Sequence, residues 1–318
     1  MRFVAFELGA GAGCRKTQLF MPYGQPVVPL QFQRDIYKIG AFAPVMMQKI
    51  SRWAFVIALS FLSIHSASAQ MKGWEVGGWA GVSNYFGDLN TNWRLTDLHL
   101  SGGGGARYNF NDRLAMRFGL NYGKISAADA DSKNIYEQRR NLSFSSILLE
   151  GGAQFEFNFL PYVHGHRDYY FTPYMSLGAT GYYFNPVTEY EGQTVRLANL
   201  GTEGQFRGEE YNTVQGAISY GMGLRYDLSY RWSFNMEFSA RKLFTDYIDD
   251  VSGNYADVRD IRGQRGELAA ALADRSVEPK IGLEGRQRGN GKNNDTFMLL
   301  NVGLMYYFGH IRCPQMMN

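Results

Sequence analysis

The chain has 318 residues, of which 45% are hydrophobic, 19% charged and 15% aromatic, and its mean hydropathy is -0.30. A helical membrane bundle is excluded at this hydropathy, because it needs several spans of about 20 apolar residues each. A disordered chain is excluded by the low charge and the high aromatic content. The 37 Gly, 21 Tyr and 22 Phe with only 9 Pro are typical of a β-rich protein with tight turns.

A secretory signal peptide is predicted inside the chain rather than at its first residue. Lys49 and Arg52 precede an apolar run over residues 53–64, and Ala67-Ser68-Ala69 follows soon after it. A positive start, a short apolar centre and a small-x-small exit are the parts of a signal peptide, with cleavage expected after Ala69.

The position of this signal predicts a start at Met46 or Met47 and a signal peptide over 46–69. Residues 1–45 show no sustained period of 2 or 3.6, which indicates a mis-assigned start codon. A genuine N-terminal extension is the alternative. The mature chain is then expected to span 70–318.

Removal of residues 1–69 changes the formal net charge from +3 to −2. The segment holds seven of the 32 basic and two of the 29 acidic residues, which leaves 25 against 27 over 249 residues. Nucleic-acid binding therefore loses its electrostatic basis. Cys14 is also removed, so Cys313 remains alone and an intramolecular disulfide is excluded.

Period-2 alternation of apolar and polar residues runs along the mature chain and predicts eight strands. In the fourth, the apolar phase slips near Ser145-Ser146, which predicts a β-bulge. Pro173 weakens the prediction for the fifth. The eight segments begin near Lys72, Leu98, Leu114, Leu142, Tyr169, Val214, Trp232 and Met298.

The length of these segments favours a membrane barrel over a secreted soluble β-sandwich, which is the alternative. Strands of soluble sheets average about 5–6 residues, whereas a tilted strand needs about 9–11 to cross a bilayer. We therefore predict an all-β, eight-stranded antiparallel transmembrane β-barrel in contact with outer-membrane lipids. Aromatic residues near strand ends match the interfacial girdles of such barrels: Trp74, Phe86, Tyr108, Phe110, Trp232, Phe244, Tyr306 and Phe308.

Predicted loop lengths alternate as in outer-membrane barrels, which have short periplasmic turns and longer external loops. The long connections lie near 87–97, 126–140, 185–211 and 245–295. The short ones lie near 111–112, 160–168 and 229–231.

The inward strand faces carry charges of both signs. An eight-stranded lumen is just wide enough for side chains to fill, and unpaired buried charges are costly. We therefore expect a charged plug rather than a pore, which would need a lining of one sign or of small residues. The predicted interior charges are Arg107, Arg117, Glu150, Glu156, Arg225, Asp227, Glu237 and Arg241.

Few residues form a pattern typical of metal binding or phosphate binding. His164-Gly165-His166 has two metal-ligating side chains but no third ligand nearby, so a solvated turn is favoured. Asp246, Asp249 and Asp250 offer oxygen ligands for Ca²⁺; their spacing does not match an EF-hand, and a hydrogen-bonded turn is favoured. Gly102–Gly105 lacks the following helix and Lys of a phosphate loop.

No enzyme is predicted. Acyl hydrolysis by a Ser/His pair needs a partnered histidine, and none of the mature histidines has a convincing partner in the sequence. We accordingly expect no cofactor and no small-molecule substrate.

The connection over 245–295 is far longer than a hairpin loop, and loops over about 12–15 residues are usually functional or disordered. Ile248 and Val251 supply apolar anchors beside acidic residues, which predicts an ordered external cap that closes the barrel mouth. The residues assigned to this external cap are Asp246, Tyr247, Asp249, Asp250, Gly253 and Tyr255.

Four segments resemble one family. They are Thr245–Tyr255 (TDYIDDVSGNY), Leu268–Ser276, Arg288–Asp295 with its Arg-Gly-Asn and Asn-Asn-Asp, and Asn84–Leu89. Together they resemble small outer-membrane proteins similar to PorG, a component of the type IX secretion system. The resemblance spans nearly all of 72–309, and the last long loop is its most specific part.

The resemblance implies an integral outer-membrane subunit that contacts a periplasmic ring made of the PorK lipoprotein and PorN, without enzymatic activity or cofactor. We expect the ring to contact the turns near 160–168 and 229–231. A stand-alone small barrel for adhesion or envelope integrity is the alternative. Residues Gly309–Asn318 depart from barrels that end on their last aromatic residue.

The signal-peptide hypothesis predicts that the membrane-bound protein begins at Gln70. N-terminal sequencing of the protein extracted from outer membranes measures this directly. Recovery of any part of residues 1–45 in that protein would show that the extension is genuine.

Overall fold

Residues 73–309 are described by the computed structural model, so the predictions for 1–45 and 46–69 lie outside the described residues. The described part contains nine strands and three short α-helices. The strands are β1 (Gly73–Phe86), β2 (His99–Asn109), β3 (Leu114–Ala128), β4 (Ser143–Asn158), β5 (Phe171–Tyr190), β6 (Gln193–Arg196), β7 (Val214–Asp227), β8 (Trp232–Leu243) and β9 (Thr296–Tyr307).

Eight of these strands form a closed antiparallel barrel. Sequence neighbours pair from β1 to β5 and from β7 to β9, β5 pairs with β7, and β1 pairs with β9 to close the sheet. The short β6 pairs with the outer end of β5 as a hairpin extension outside the barrel. The prediction of an eight-stranded antiparallel barrel is confirmed.

Strands β4 and β5 differ from the sequence prediction. The predicted bulge at Ser145-Ser146 is wrong, because β4 pairs with β3 without interruption: Ser145 lies opposite Ser126 and Ser146 opposite Ile125. The apparent slip arises because the inward residues near the outer end of β4 are apolar and buried. Pro173 does not interrupt β5, which is the longest strand at 20 residues.

The outward face of the barrel is an apolar belt. Leu100 near the start of β2 is 84% exposed, and Leu120 in the middle of β3 is 66% exposed. Aromatic rings pair around the end of the barrel that carries the short turns, as in Trp74 against Tyr108, with ring centroids 5.0 Å apart. An exposed apolar belt with an aromatic girdle on a closed sheet is the surface of an outer-membrane β-barrel.

One residue assigned to the girdle lies elsewhere. Phe86 is only 6% exposed, and its ring packs against Trp93 at a centroid distance of 4.7 Å. This position at the outer end of β1 is covered by the connection to β2, so Phe86 does not face lipid.

The helices lie in the long external connections. They are α1 (Ile135–Arg140), α2 (Val258–Arg265) and α3 (Glu267–Ala273). The side chains of Asn134 and Asp257 accept hydrogen bonds from the first-turn amides of α1 and α2, as N-cap residues do. Within residues 73–309, no helix is long and apolar enough to cross a membrane.

The glycine run of β2 gives room to a tryptophan inside the barrel. Trp79 on β1 projects into the lumen, where its Nε1 donates to Asn121 Oδ1 at 2.6 Å. A Cβ on Gly103 would lie 2.7 Å from this Nε1, and one on Gly303 would lie 2.6 Å from the Cβ of Trp79. The backbone must approach this closely for the ring to fit, which only glycine permits.

Candidate functional site

The lumen holds a cluster of paired charges contributed by β1, β2, β3, β4, β7 and β8. The alternation of side chains along each strand turns these residues inward, because successive residues face opposite sides of a sheet. All eight residues predicted as interior charges point into the barrel: Arg107, Arg117, Glu150, Glu156, Arg225, Asp227, Glu237 and Arg241.

The carboxylate of Glu156 lies at the centre of this cluster. It is completely buried, and it contacts Arg107 Nε at 2.7 Å and Arg117 Nε at 3.1 Å. It also pairs with the fully buried Arg225. One carboxylate on β4 thus joins strands β2, β3 and β7 across the lumen.

Three further carboxylates complete the pairing. Arg107 Nη1 contacts Glu75 Oε2 at 2.9 Å, and Arg117 Nη2 contacts Glu237 Oε2 at 2.5 Å. On the outer side of the cluster, Arg241 Nε contacts Glu150 Oε2 at 3.0 Å. Four arginines therefore face four glutamates, and the cluster has no excess of either sign.

Glu75 is the member of this cluster that the sequence analysis missed. It lies on the inward face of β1 between Gly73 and Gly77. Because the neighbouring inward positions are glycines, the sequence shows no regular series of polar residues there. Its outward neighbours Trp74 and Val76 supply the signal that would have placed it inside.

Little free space remains around these charges. A cavity of about 30 Å³ lies among Trp79, Arg117, Tyr174 and Glu237. That volume holds one or two water molecules. The guanidinium of Arg117 stacks over the Trp79 ring at 5.4 Å, which fills the lumen further.

The turn between β4 and β5 (residues 159–170, the periplasmic turn) folds into the end of the barrel. Its His164 is 4% exposed, so the expectation of a solvated turn is wrong for this residue. His164 Nε2 lies 3.1 Å from Glu75 Oε1, and Nδ1 lies 3.0 Å from Asp227 Oδ1. The ring also stacks on Tyr307, with centroids 4.3 Å apart.

His164 carries a positive charge at neutral pH in this setting. Burial opposes the charged form, but hydrogen bonds to Asp227 and Glu75 outweigh it and raise the pKa of His164 to about 9. Tyr162 beside it donates a hydrogen bond to Asp227. The interior charge predicted for Asp227 is therefore part of the anchor of the periplasmic turn rather than of the Glu156 cluster.

The opposite end of the barrel is closed by the external cap (residues 245–295). Ile248, Val251 and Leu272 of the cap are each at most 1% exposed. They share one apolar cluster with inward residues of the outer strand ends, including Tyr85 and Phe144. A smaller apolar cluster joins α2 to α3 within the cap.

Polar contacts tie the cap to the β6–β7 connection. Arg288 Nη1 contacts Glu203 Oε1 at 3.0 Å and donates to the main-chain oxygen of Asp250 at 2.5 Å. The side chain of Asp250 accepts hydrogen bonds from Thr202 at 2.6 Å and Tyr211 at 2.8 Å. Within the acidic stretch itself, the amide of Asp250 donates to the main-chain oxygen of Tyr247 at 3.3 Å and the amide of Val251 to Asp249 Oδ1 at 2.9 Å, which are the bonds of a local turn.

The other residues assigned to the cap are placed as follows. Tyr247 stacks on Tyr211 with ring centroids 4.9 Å apart. The amide of Gly253 donates to Glu203 Oε2 at 3.1 Å, and Tyr255 is 2% exposed. Tyr255 is buried inside the cap, whereas Tyr247 and Gly253 are partly exposed.

The segments that carry the family resemblance meet in this interior. Arg140 Nη2 on α1 donates to the main-chain oxygen of Asp88 at 2.8 Å, while Gly289 approaches the Asp88 carboxylate so closely that a Cβ would lie 2.3 Å from it. Tyr85 Oη lies 2.6 Å from Asp249 Oδ2. Segments far apart in the sequence thus form one hydrogen-bonded unit over the barrel mouth.

Four carboxylates of this unit lack a cationic partner. Among the described residues, no Lys, Arg or His nitrogen lies within 4 Å of the carboxylates of Asp88, Asp246, Asp249 or Asp295. Burial, reinforced by repulsion from Asp88, raises the pKa of Asp246 to about 7, although the nearby Ser252 side chain opposes this. Burial also raises the pKa of Asp88 to about 6. Over residues 73–309, no three His, Cys, Asp or Glu side chains are arranged to hold a metal ion.

Residues 52–270 match the family described as a domain of unknown function, DUF6089. The chain belongs to this family. The sequence matches no curated protein.

Solved outer-membrane barrels are similar at low identity. Ail of Yersinia pestis, solved with the heparin analogue sucrose octasulfate, is 11% identical with a TM-score of 0.37 over 75% of this chain and 100% of its own. Neisserial surface protein A is 12% identical with a TM-score of 0.37, and the match covers 75% of this chain and 100% of that protein. OprG of Pseudomonas aeruginosa is 12% identical with a TM-score of 0.37, and the match covers 76% of this chain and 98% of that protein. At these values the fold assignment rests on the closed sheet of the chain itself.

We expect the barrel to conduct ions poorly, because the Glu156 cluster blocks the lumen and the periplasmic turn and external cap cover its ends. In planar bilayers the reconstituted protein should give no large, stable, ion-selective steps, with a porin as the positive control. Reproducible porin-sized conductance would contradict the plugged lumen.

The substitution Glu156→Gln should lower the free energy of unfolding by about 3–5 kcal/mol, because it leaves buried guanidinium groups without their shared carboxylate. Urea unfolding in lipid vesicles, followed by tryptophan fluorescence, measures this loss. Glu189→Gln, an exposed change on β5, is the matched control and should stay within about 0.5 kcal/mol of the wild type. Equal effects of the two changes would show that the cluster does not stabilise the barrel.

Proposed function

We propose that this outer-membrane barrel is a structural subunit of a protein secretion machine of the type IX kind, similar to PorG, and that it contacts a periplasmic ring. The proposal rests on the resemblance of the external-cap segments and Asn84–Leu89 to that family. A fold alone does not determine a function, so the barrel by itself does not distinguish this role from adhesion.

The observation that carries the proposal is that the resembling segments form one structural unit. Asp88, Asp249, Arg288 and Asp295 come from separate parts of the sequence and meet in the interior of the cap. Because the resembling residues are buried against one another, the resemblance covers the folded external end of the protein as a whole and not one isolated motif. This supports membership in a group of proteins with the same capped barrel.

The periplasmic end offers a rigid surface for ring contacts. His164 and Tyr162 hold the inner half of the periplasmic turn inside the barrel, while Arg167 and Asp168 lie exposed at its tip. Tyr230 in the β7–β8 turn is 63% exposed. Interaction with a ring would use these tips, because the buried half of the turn is occupied by the barrel.

The double change Arg167→Glu with Tyr230→Ala tests this surface without disturbing the buried anchor. The variant should insert normally, shown by unchanged heat-modifiable mobility on a gel, but recover less than a tenth of the ring proteins in co-purification. Arg259→Glu, on the exposed face of α2 at the other end, is the matched control and should recover the ring as the wild type does. Equal ring recovery by the double variant would place the contact elsewhere.

The cap contributes to secretion in this proposal but not to ring binding. Deletion of residues 256–290 should reduce secretion of type IX substrates while the barrel still inserts and the ring still co-purifies. Normal secretion in a strain that lacks the whole protein would overturn the proposal and favour a stand-alone barrel for adhesion or envelope integrity.

A further inference from the structure

One tyrosine hydroxyl lies between two carboxylates at the base of the external cap. Tyr85 Oη is 2.6 Å from Asp249 Oδ2 and 2.9 Å from Asp295 Oδ1. Tyr85 is at the outer end of β1, Asp295 directly precedes β9, and Asp249 belongs to the cap. All three residues are at most 1% exposed, so water does not separate them.

The hydrogens at this contact can be counted. A tyrosine hydroxyl carries one hydrogen and donates one hydrogen bond, whereas an ionised carboxylate only accepts. Tyr85 therefore satisfies one of the two aspartates, and the second short contact needs a hydrogen on a carboxyl group. That hydrogen must sit on one of the two oxygens that face Tyr85 Oη, which are Oδ2 of Asp249 and Oδ1 of Asp295.

The surroundings oppose full ionisation of this pair. Asp88 and Asp246 lie close enough to repel both carboxylates, and burial, the largest effect, raises the pKa of Asp249 and of Asp295 well above the ordinary value. The charged and titratable groups that face the four carboxylates from the packed elements are Arg140 of α1, Glu203 and Tyr211 of the β6–β7 connection, Tyr182 of β5, Lys242 of β8, and Asp250 and Arg288 of the cap.

We propose that Asp249, Tyr85 and Asp295 form a shared-proton latch that holds the external cap on the barrel mouth at low and neutral pH and releases it as the pH rises. One carboxyl donates its proton to Tyr85 Oη, and Tyr85 donates its own to the other carboxylate. Loss of the shared proton leaves two carboxylates facing one hydroxyl, with Asp88 and Asp246 beside them. The cap then separates from β1 and β9.

The sign of the effect follows from linkage. The closed cap holds a proton that the open loop, with ordinary carboxyl groups, releases at lower pH. Closure is therefore favoured at low pH and weakens as the pH rises toward and through the value at which the closed cap loses its proton. The opening equilibrium should rise by up to about tenfold per pH unit for each proton released.

Hydrogen exchange of the full-length barrel in detergent micelles, followed from pH 5.5 to 9 and corrected for the intrinsic exchange rate, tests the latch. Protection of the amides over 246–252 should fall by about tenfold or more across this range, while protection of the amides over 232–240 in β8 stays constant. In Asp249→Asn, an amide hydrogen replaces the shared proton permanently, so protection should fall several-fold less across this range than in the wild type. The dependence that remains comes from Asp88 and Asp246, whose pKa values of about 6 and about 7 also lie in this range.

Asp260→Asn is the matched control, because it removes an exposed carboxylate of the same loop, and it should keep the pH dependence of the wild type. The latch is refuted if wild-type protection does not change with pH, or if Asp249→Asn changes as the wild type does. The series is run with EDTA and again with calcium chloride. A pH dependence that calcium removes would assign the carboxylates to a metal ion and overturn the shared proton.

Discussion

The carboxylate of Glu156 is the point on which the interior of this barrel depends. A closed sheet of eight strands leaves a lumen that side chains must fill, and here the filling is ionic. Three arginines from three strands contact this one buried group. Their charges are tolerated only because each guanidinium has an anion within reach, since an unpaired buried charge costs several kcal/mol.

The two halves of the lumen are filled by different kinds of side chain. Toward the periplasmic side the interior is charged, and His164 extends the ionic pairing to the periplasmic turn. Toward the outside the inward residues become apolar, because there the strands rise above the membrane belt and meet the external cap. The barrel therefore has an ionic core and a separate apolar core, stacked along one axis.

The fold was predictable from the sequence because alternation with period 2 reports directly on the two faces of a strand. The same rule placed Arg107 and Glu156 inside the barrel, but it did not show which of the interior charges pair with each other, since pairing depends on register between strands. Glu75 was missed among glycines, and the bulge near Ser145 was a wrong reading of inward apolar residues. The first error came from the small residues around Glu75, and the second from assuming that every inward face is polar along its whole length.

Contacts made by loops were beyond reach of the sequence. The partners of His164 lie on β1 and at the end of β7, and Asp249 meets Tyr85 from 164 positions away. A local sequence pattern does not show which residues far apart in the chain come into contact. The family resemblance marked the cap segments as special, whereas the structure supplies the physical reason: their residues are buried against one another.

The placement of His164 has a consequence for the order in which the chain assembles. The periplasmic turn belongs to the middle of the sequence, yet His164 contacts Glu75 on the first strand and Tyr307 on the last. The two contacts can exist together only when β1 and β9 lie side by side, as they do in the closed sheet. His164 therefore bridges the seam between β1 and β9, and a barrel whose seam is still open cannot make both of its contacts.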